Sequence, residues 1–211
     1  MKVSWAKVPV FLACLLPLAG LGWKAAHGML GANPIEVITH ATGDWTLRLL
    51  LITLAITPFR QLSRQYWLIQ FRRMFGLFAF FYAFLHLTTY VWLDQFFDVH
   101  SMIKDIAKRP FITIGFTGFC LLVPLAVTST RKMIRRLGGR RWQWLHRLIY
   151  LAASAGIIHF VWLVKKDKTR PIEYGMVLGV LLGYRIALWG YSRLRARKPP
   201  APQAVAELPA D

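Results

Sequence analysis

MFGLFAFFYAFLHLTTYVWL, residues 74–93, is a run of twenty positions in which the only titrating side chain near neutral pH is His86. A helix of about 20 apolar residues crosses the hydrocarbon core of a bilayer. Strands are excluded as the alternative. Every backbone polar group in lipid must be paired, and barrel strands alternate lipid-facing with lumen-facing residues, whereas this run is apolar throughout. A second stretch, WQWLHRLIYLAASAGIIHFVW at residues 142–162, carries His146 and His159. An ionisable side chain at membrane depth is costly and is read as functional by default.

Working outward, six apolar segments cover residues 8–23, 44–59, 74–93, 111–128, 144–164 and 172–191. They predict an all-α, multi-pass membrane protein of six transmembrane helices over residues 1–192, with a basic and then Pro/Ala-rich tail over 193–211 that is expected to be disordered. The first segment has the basic start and short apolar run of a signal peptide. It is read as an uncleaved first helix, because five further spans follow.

The formal charge is +18, from 27 Lys and Arg against 9 Asp and Glu. The basic residues cluster between spans: Arg60, Arg64, Arg72 and Arg73; then Arg131, Lys132, Arg135, Arg136, Arg140 and Arg141; then Arg193, Arg195, Arg197 and Lys198. The positive-inside rule accounts for this placement, so no nucleic-acid partner is expected and both termini are predicted to be cytoplasmic. Membrane lipid is the expected surrounding partner. Cys14 and Cys120 lie in apolar stretches without a CxxC pair, which argues against a disulfide framework, an iron–sulfur site and covalent heme attachment.

Depth sorts the histidines. His86 stands thirteen residues above Arg73, roughly 20 Å at about 1.5 Å per residue, and His159 stands six residues before Lys165. Both fall in the outer half of helices that run in the same direction. Two imidazoles so placed could hold one heme iron between them, and neutral imidazole is a standard axial ligand. The plainer alternative is that each histidine hydrogen-bonds a neighbouring helix. His146 lies roughly 20 Å deeper than His159 and roughly 140° away on a straight helix. The matching depth on the third helix holds Arg72 and Arg73 rather than histidine. The residues therefore support one b-type heme. A second heme on His146, with an unusual or missing sixth ligand, stays open. His27, His40 and His100 fall in predicted outer loops and read as solvated.

Three arginines complete the candidates. Arg48, near the outer interface, either snorkels or pairs with a heme propionate. Arg185, on the inner part of the sixth helix, has the same two readings, with an inner heme, a quinone headgroup or a flavin phosphate as partner. Arg72 is a topology signal or sits near an inner cofactor.

The stretches NPIEVITHATGDWTLRLLLITLAITPFR (33–60), RRMFGLFAFFYAFLHLTTY (72–90), KRPFITIGFTG (108–118) and PLAVTSTRKMIRRLGGRRWQWLHRLIYLAASAGIIHFVW (124–162) resemble, in order, the heme-binding membrane subunits of bacterial periplasmic methionine-sulfoxide reductase systems. The resemblance spans roughly residues 8–192. Those subunits belong to the ferric-reductase-like transmembrane group, which includes the eukaryotic NADPH oxidases. The resemblance implies a six-helix bundle in the bacterial inner membrane that carries b-type heme and FMN. Such a bundle takes electrons from the quinone pool or a cytosolic flavin reductase. It passes them to a periplasmic molybdopterin enzyme, on which methionine-sulfoxide reduction itself lies. By position, His86, His146 and His159 match the three family histidines, and Arg72 stands where the wider oxidase group has a fourth. No residue matches an FMN motif. The residues after the sixth segment hold no G-x-G-x-x-G unit, so direct use of NADPH is not expected. Two rival readings remain from the residues: a cytochrome b that reduces ferric chelates, and a membrane scaffold whose histidines only bridge helices.

Overall fold

Asn33 opens the longest helix among the described residues: its side chain accepts the Glu36 N–H, and Pro34 occupies the first turn, where a missing N–H costs nothing. The resulting α2 (Pro34–Ser63) begins ten residues before the apolar segment that predicts it. It follows α1 (Lys7–Ala26) and precedes α3 (Ile69–Thr88), α4 (Val99–Lys108), α5 (Pro110–Val127), α6 (Arg131–Leu137), α7 (Gly139–Leu145), α8 (Leu148–Leu163) and α9 (Thr169–Ala196). The computed structural model describes residues 5–196, with side chains through 194. The expected boundary at 192 falls inside α9, and the tail beyond 196 lies outside the described residues.

Among the described residues the fold is all-α. Five spans are long and apolar enough to cross a membrane: Lys7–Ala26, Tyr66–Asp94, Pro110–Val127, Gly139–Leu163 and Thr169–Leu194. The expected sixth, α2, has the length but is less apolar, because Asp44, Arg48 and Arg60 interrupt it. The reason is its position. Leu47, Leu49, Leu50, Leu51, Thr53, Leu54 and Ile56 on α2 are all buried, so its neighbours rather than lipid set its environment. Four of its threonines are satisfied within the helix, as lipid requires: Thr39, Thr42, Thr46 and Thr53 each donate their hydroxyl to the carbonyl four residues earlier.

The core is two close antiparallel pairs, α2 with α3 and α5 with α8, with fewer contacts between the pairs. Small residues allow the approach. Ala79, Ala83, Ala152, Ala153 and Ala155 are buried, and a Cβ on Gly118 would meet that of Ala155 at 3.4 Å. α9 closes over α2 and α8, and α1 flanks α2 and α3. There, buried Tyr82 donates its hydroxyl to the Cys14 carbonyl at 2.8 Å, tying α3 to α1. Apolar side chains of α1 and α9, such as Leu16 and Val180, turn outward. Outward apolar surface of this extent suits lipid as the solvent and makes the chain a multi-pass membrane protein.

Two departures from regular helix matter for the site. A π-helical turn, Thr89–Asp94, extends α3 just beyond His86. The expected fifth helix, 144–164, is interrupted: α7 ends at Leu145, and α8 starts at Leu148 after a turn at His146 and Arg147.

Candidate cofactor site

His86 on α3 and His159 on α8 face one another from the two helix pairs, with ring centres 6.1 Å apart and planes at 80°. Both line a cavity of about 750 Å³ between the pairs. Each ring is held by the same device. His86 Nδ1 lies 2.9 Å from the Thr39 carbonyl of α2, and His159 Nδ1 lies 2.6 Å from the Phe111 carbonyl of α5. A carbonyl only accepts, so each Nδ1 carries the proton and each Nε2 keeps its lone pair. The residue four positions after each accepting carbonyl is a glycine, Gly43 and Gly115. A Cβ there would stand 3.2 Å from the His86 ring and 2.7 Å from the His159 ring. The imidazoles reach across the backbone only because these positions have no side chain. Sequence reasoning missed both glycines, since each lies on a different helix from the histidine it admits.

The geometry suits an ion that brings its own equatorial donors. Metal–imidazole bonds of about 2.0–2.1 Å on two opposite sides place ring centres roughly 6 Å apart. Among the described residues no three His, Cys, Asp or Glu side chains gather to cage a bare ion. His86 and His159, each with Nε2 free beside a cavity of cofactor size, are the residues that would hold a porphyrin iron.

The rim is charged. Asp44, only 14 % exposed, pairs with Arg48 at 2.7 Å and accepts the Tyr174 hydroxyl at 2.7 Å, while Arg170 approaches within 3.7 Å. Arg48 Nε donates to Tyr174 at 3.0 Å, so α2 and α9 are joined across the rim. The exposed Arg48 end makes this ion pair modest in stability, and its role is to order the rim. Arg48 thus lines the cavity with a protein carboxylate as its partner. Opposite, Asp105 pairs with Arg109 at 3.2 Å and accepts from Tyr90, tethering α4 beside the cavity. Asp44, Tyr174 and the Asp105–Arg109 pair carry no signal in sequence that separates them from loop charges.

The other candidates lie elsewhere. His146 is half-buried in the turn before α8. Its ring stacks on Trp142 at 3.8 Å, and its Nδ1 faces the Trp142 carbonyl at 3.1 Å. It does not line the cavity. Because it stands outside α8, the 140° separation expected of a straight helix does not apply. Arg185 donates to the Tyr150 hydroxyl at 2.8 Å and to the Leu54 carbonyl at 2.9 Å. Arg72 is half-buried on α3, one turn before Gly76, where a Cβ would meet Thr53 of α2 at 3.6 Å. Arg72, Arg185 and His146 therefore gather at the end of the bundle opposite the histidine pair.

Fold and site together define a class: a multi-pass helical membrane protein built around a cavity with two opposed, backbone-anchored imidazoles. Residues 42–157 match the family described as "Ferric reductase like transmembrane component". The chain is 56% identical over 194 residues to "Protein-methionine-sulfoxide reductase heme-binding subunit MsrQ" of Herminiimonas arsenicoxydans, covering 91% of this chain and 88% of the relative. Proteins of the same description in Azospira oryzae and Rhodospirillum rubrum are 49% and 50% identical over 203 and 193 residues, covering 94% and 92% of this chain and 84% and 93% of theirs. The chain belongs to the MsrQ family of heme-binding subunits, within the ferric-reductase-like transmembrane components.

Proposed function

We propose that this chain is a transmembrane electron relay that holds one heme b between His86 and His159 and delivers electrons to a methionine-sulfoxide reductase partner. The observation that carries the reading is the pair of imidazoles 6.1 Å apart, each with Nδ1 on a backbone carbonyl. When bound, the porphyrin iron supplies a one-electron redox couple. The protein supplies the rest. Thr39 and Phe111 set the tautomer and raise the basicity of each ligand. Leu47, Leu50, Phe116, Phe119 and Leu122 give the cavity apolar walls that exclude water. Arg48 and Arg170 stand at the rim, where a propionate would meet donors beyond those used on Asp44.

The end bearing the histidine pair faces the periplasm in this reading, with both termini cytoplasmic and the bilayer the bacterial inner membrane. The basic loops at the opposite end support that orientation. The acceptor is a periplasmic molybdopterin subunit docking near the α3–α5 connection. The donor, a quinol or a cytosolic flavin reductase, docks at the other end beside His146 and Arg72. His146 is the candidate ligand for any second heme. We assign no residue to FMN and derive no step through it. The names of the relatives support a methionine-sulfoxide reductase as the partner, while the donor, the molybdopterin group and FMN rest on the resemblance in sequence alone.

Reduced-minus-oxidised visible spectra with heme quantification test the reading. One heme per chain is expected at the pair, lost in both His86→Ala and His159→Ala. Unchanged spectra in both variants would sink the ligand assignment. Faster reoxidation of the reduced protein by ferric chelate than by the sulfoxide reductase would move the function to iron reduction.

A further inference from the structure

The buried side-chain polar atoms that lack a hydrogen-bond partner among the described residues are Thr57 Oγ1, Arg60 Nε, Gln70 Nε2 and Arg185 Nε. All four belong to the end of the bundle away from the histidine pair. Orphaned buried polar atoms are rare, and a group of them marks a place for a bound partner or a functional role. Thr57 and Arg60 stand three residues apart on α2 and are neighbours on its surface. Arg185 of α9 donates to the Leu54 carbonyl at 2.9 Å and the adjacent Tyr184 donates to Gln61 at 3.1 Å, so this part of α9 lies along α2 over the stretch that holds Thr57 and Arg60. A Cβ on Gly76 of α3 would meet the Thr53 side chain of α2 at 3.6 Å, and the antiparallel pairing puts Arg72, one turn earlier on α3, level with Thr57. Thr57 is the exception on its own helix, since Thr39, Thr42, Thr46 and Thr53 all back-bond within α2.

Three guanidiniums therefore converge beside unsatisfied donors, and none of the three forms an ion pair among the described residues. Like charges repel strongly where the surroundings are apolar. Water or a neutral quinone would satisfy hydrogen bonds and leave that repulsion in place; an anion relieves both. Phosphate oxygens match the guanidinium fork. The surroundings point to the lipid as its source. Arg60 lies over the Tyr66 ring at 5.8 Å, and Tyr66 and Trp67 are 68 % and 49 % exposed. Exposed aromatics of this kind mark the membrane–water boundary. Phe59 and Leu62, also exposed, offer an apolar path for acyl chains beside it. Basic pockets between transmembrane helices bind acidic headgroups in this way.

We propose that Arg60, Arg72 and Arg185 form a binding site for the phosphate of an acidic phospholipid headgroup, with Thr57 and Gln70 completing its hydrogen bonds. The site is separate from the histidine pair.

Native mass spectrometry of the full-length protein released from nanodiscs tests this, in three arms: phosphatidylcholine alone, phosphatidylcholine with phosphatidylglycerol, and phosphatidylcholine with phosphatidylglycerol and inorganic phosphate. One phosphatidylglycerol retained per chain is expected, with no specific phosphatidylcholine. Arg60→Gln breaks no hydrogen bond to the protein and should lower retention about fivefold. Arg60→Gln with Arg185→Gln should abolish it. Equal retention of both lipids, or retention unaffected by Arg60→Gln, overturns the site. Inorganic phosphate that binds and displaces phosphatidylglycerol overturns the lipid source. The visible spectrum of the same samples reads the histidine pair, so the two proposals fail separately.

Discussion

Gly115 is the most demanding small residue of the site. A Cβ at 115 would come within 2.7 Å of His159 Nδ1, closer than real side chains approach, so Gly115→Ala must push the imidazole off the Phe111 carbonyl. We expect that variant to lose most of its heme or to show a mixed-ligation spectrum. Gly43→Ala, with its contact at 3.2 Å, should shift the spectrum only slightly. A wild-type spectrum in Gly115→Ala would show that the ring has slack and that the glycine is incidental. His146→Ala should retain at least one heme per chain, because His146 lies outside the cavity. His86 and His159 were legible in the sequence because an imidazole stands out in an apolar helix. The glycines and the two carbonyls were not. A backbone acceptor leaves no trace in residue type, and the spacing from Gly115 to His159 reflects packing between helices rather than any local period.

At the scale of elements, the outer helix α1 hangs on α3 through one buried bond, Tyr82 to the Cys14 carbonyl at 2.8 Å. Interhelical bonds of this kind average about 0.6 kcal/mol and reach about 1.7. Tyr82→Phe should therefore cost about that much in reversible unfolding in detergent, with the heme spectrum unchanged. α4 depends on its cap: Asp98 accepts the Ser101 N–H at 3.1 Å and its hydroxyl at 2.7 Å. Those bonds hold the Asp98 carboxyl below its ordinary value. A depressed folded value means the cap contributes fully above the ordinary Asp range and is lost as pH falls through the depressed one. Hydrogen exchange over residues 99–103 should show the first turn of α4 fraying on acidification. Asp98→Ala should fray it already at neutral pH; identical protection in the two proteins would exclude the cap. The long apolar helices were legible from length and apolarity. The start of α2 was not, because the ten residues before Asp44 carry Glu36, His40 and three threonine or glycine positions that read as loop, and only the structure shows them capped by Asn33 and continuous with the apolar run. The break at His146 was equally hidden, since WQWLHRLIY continues the apolar run without Pro or Gly.

For the whole molecule, the cavity lies between two helix pairs that touch one another less than their members do. An occupant bound by both His86 and His159 would clamp the pairs together, and a ligand that binds only the folded state raises its stability. Protein expressed under heme limitation should accordingly melt at a lower temperature than heme-replete protein, whereas His86→Ala should melt alike under both conditions. Equal melting of the two wild-type preparations would remove the clamp. Reporter fusions at each terminus should be active only on the cytoplasmic side; an active periplasmic reporter at either end would reverse the orientation. The sequence by itself determined the class of fold, the depth of His86 and His159 and the family, because apolar length, charge clusters and ordered motifs are linear properties. Only the tertiary structure decided that the two rings face each other over a cavity and that glycines on α2 and α5 admit them. It also decided that Arg48 is held by Asp44 while Arg60, Arg72 and Arg185 converge without a counter-ion. These depend on which helix faces meet, and interhelical packing is set by small residues and shape rather than by any period along the chain.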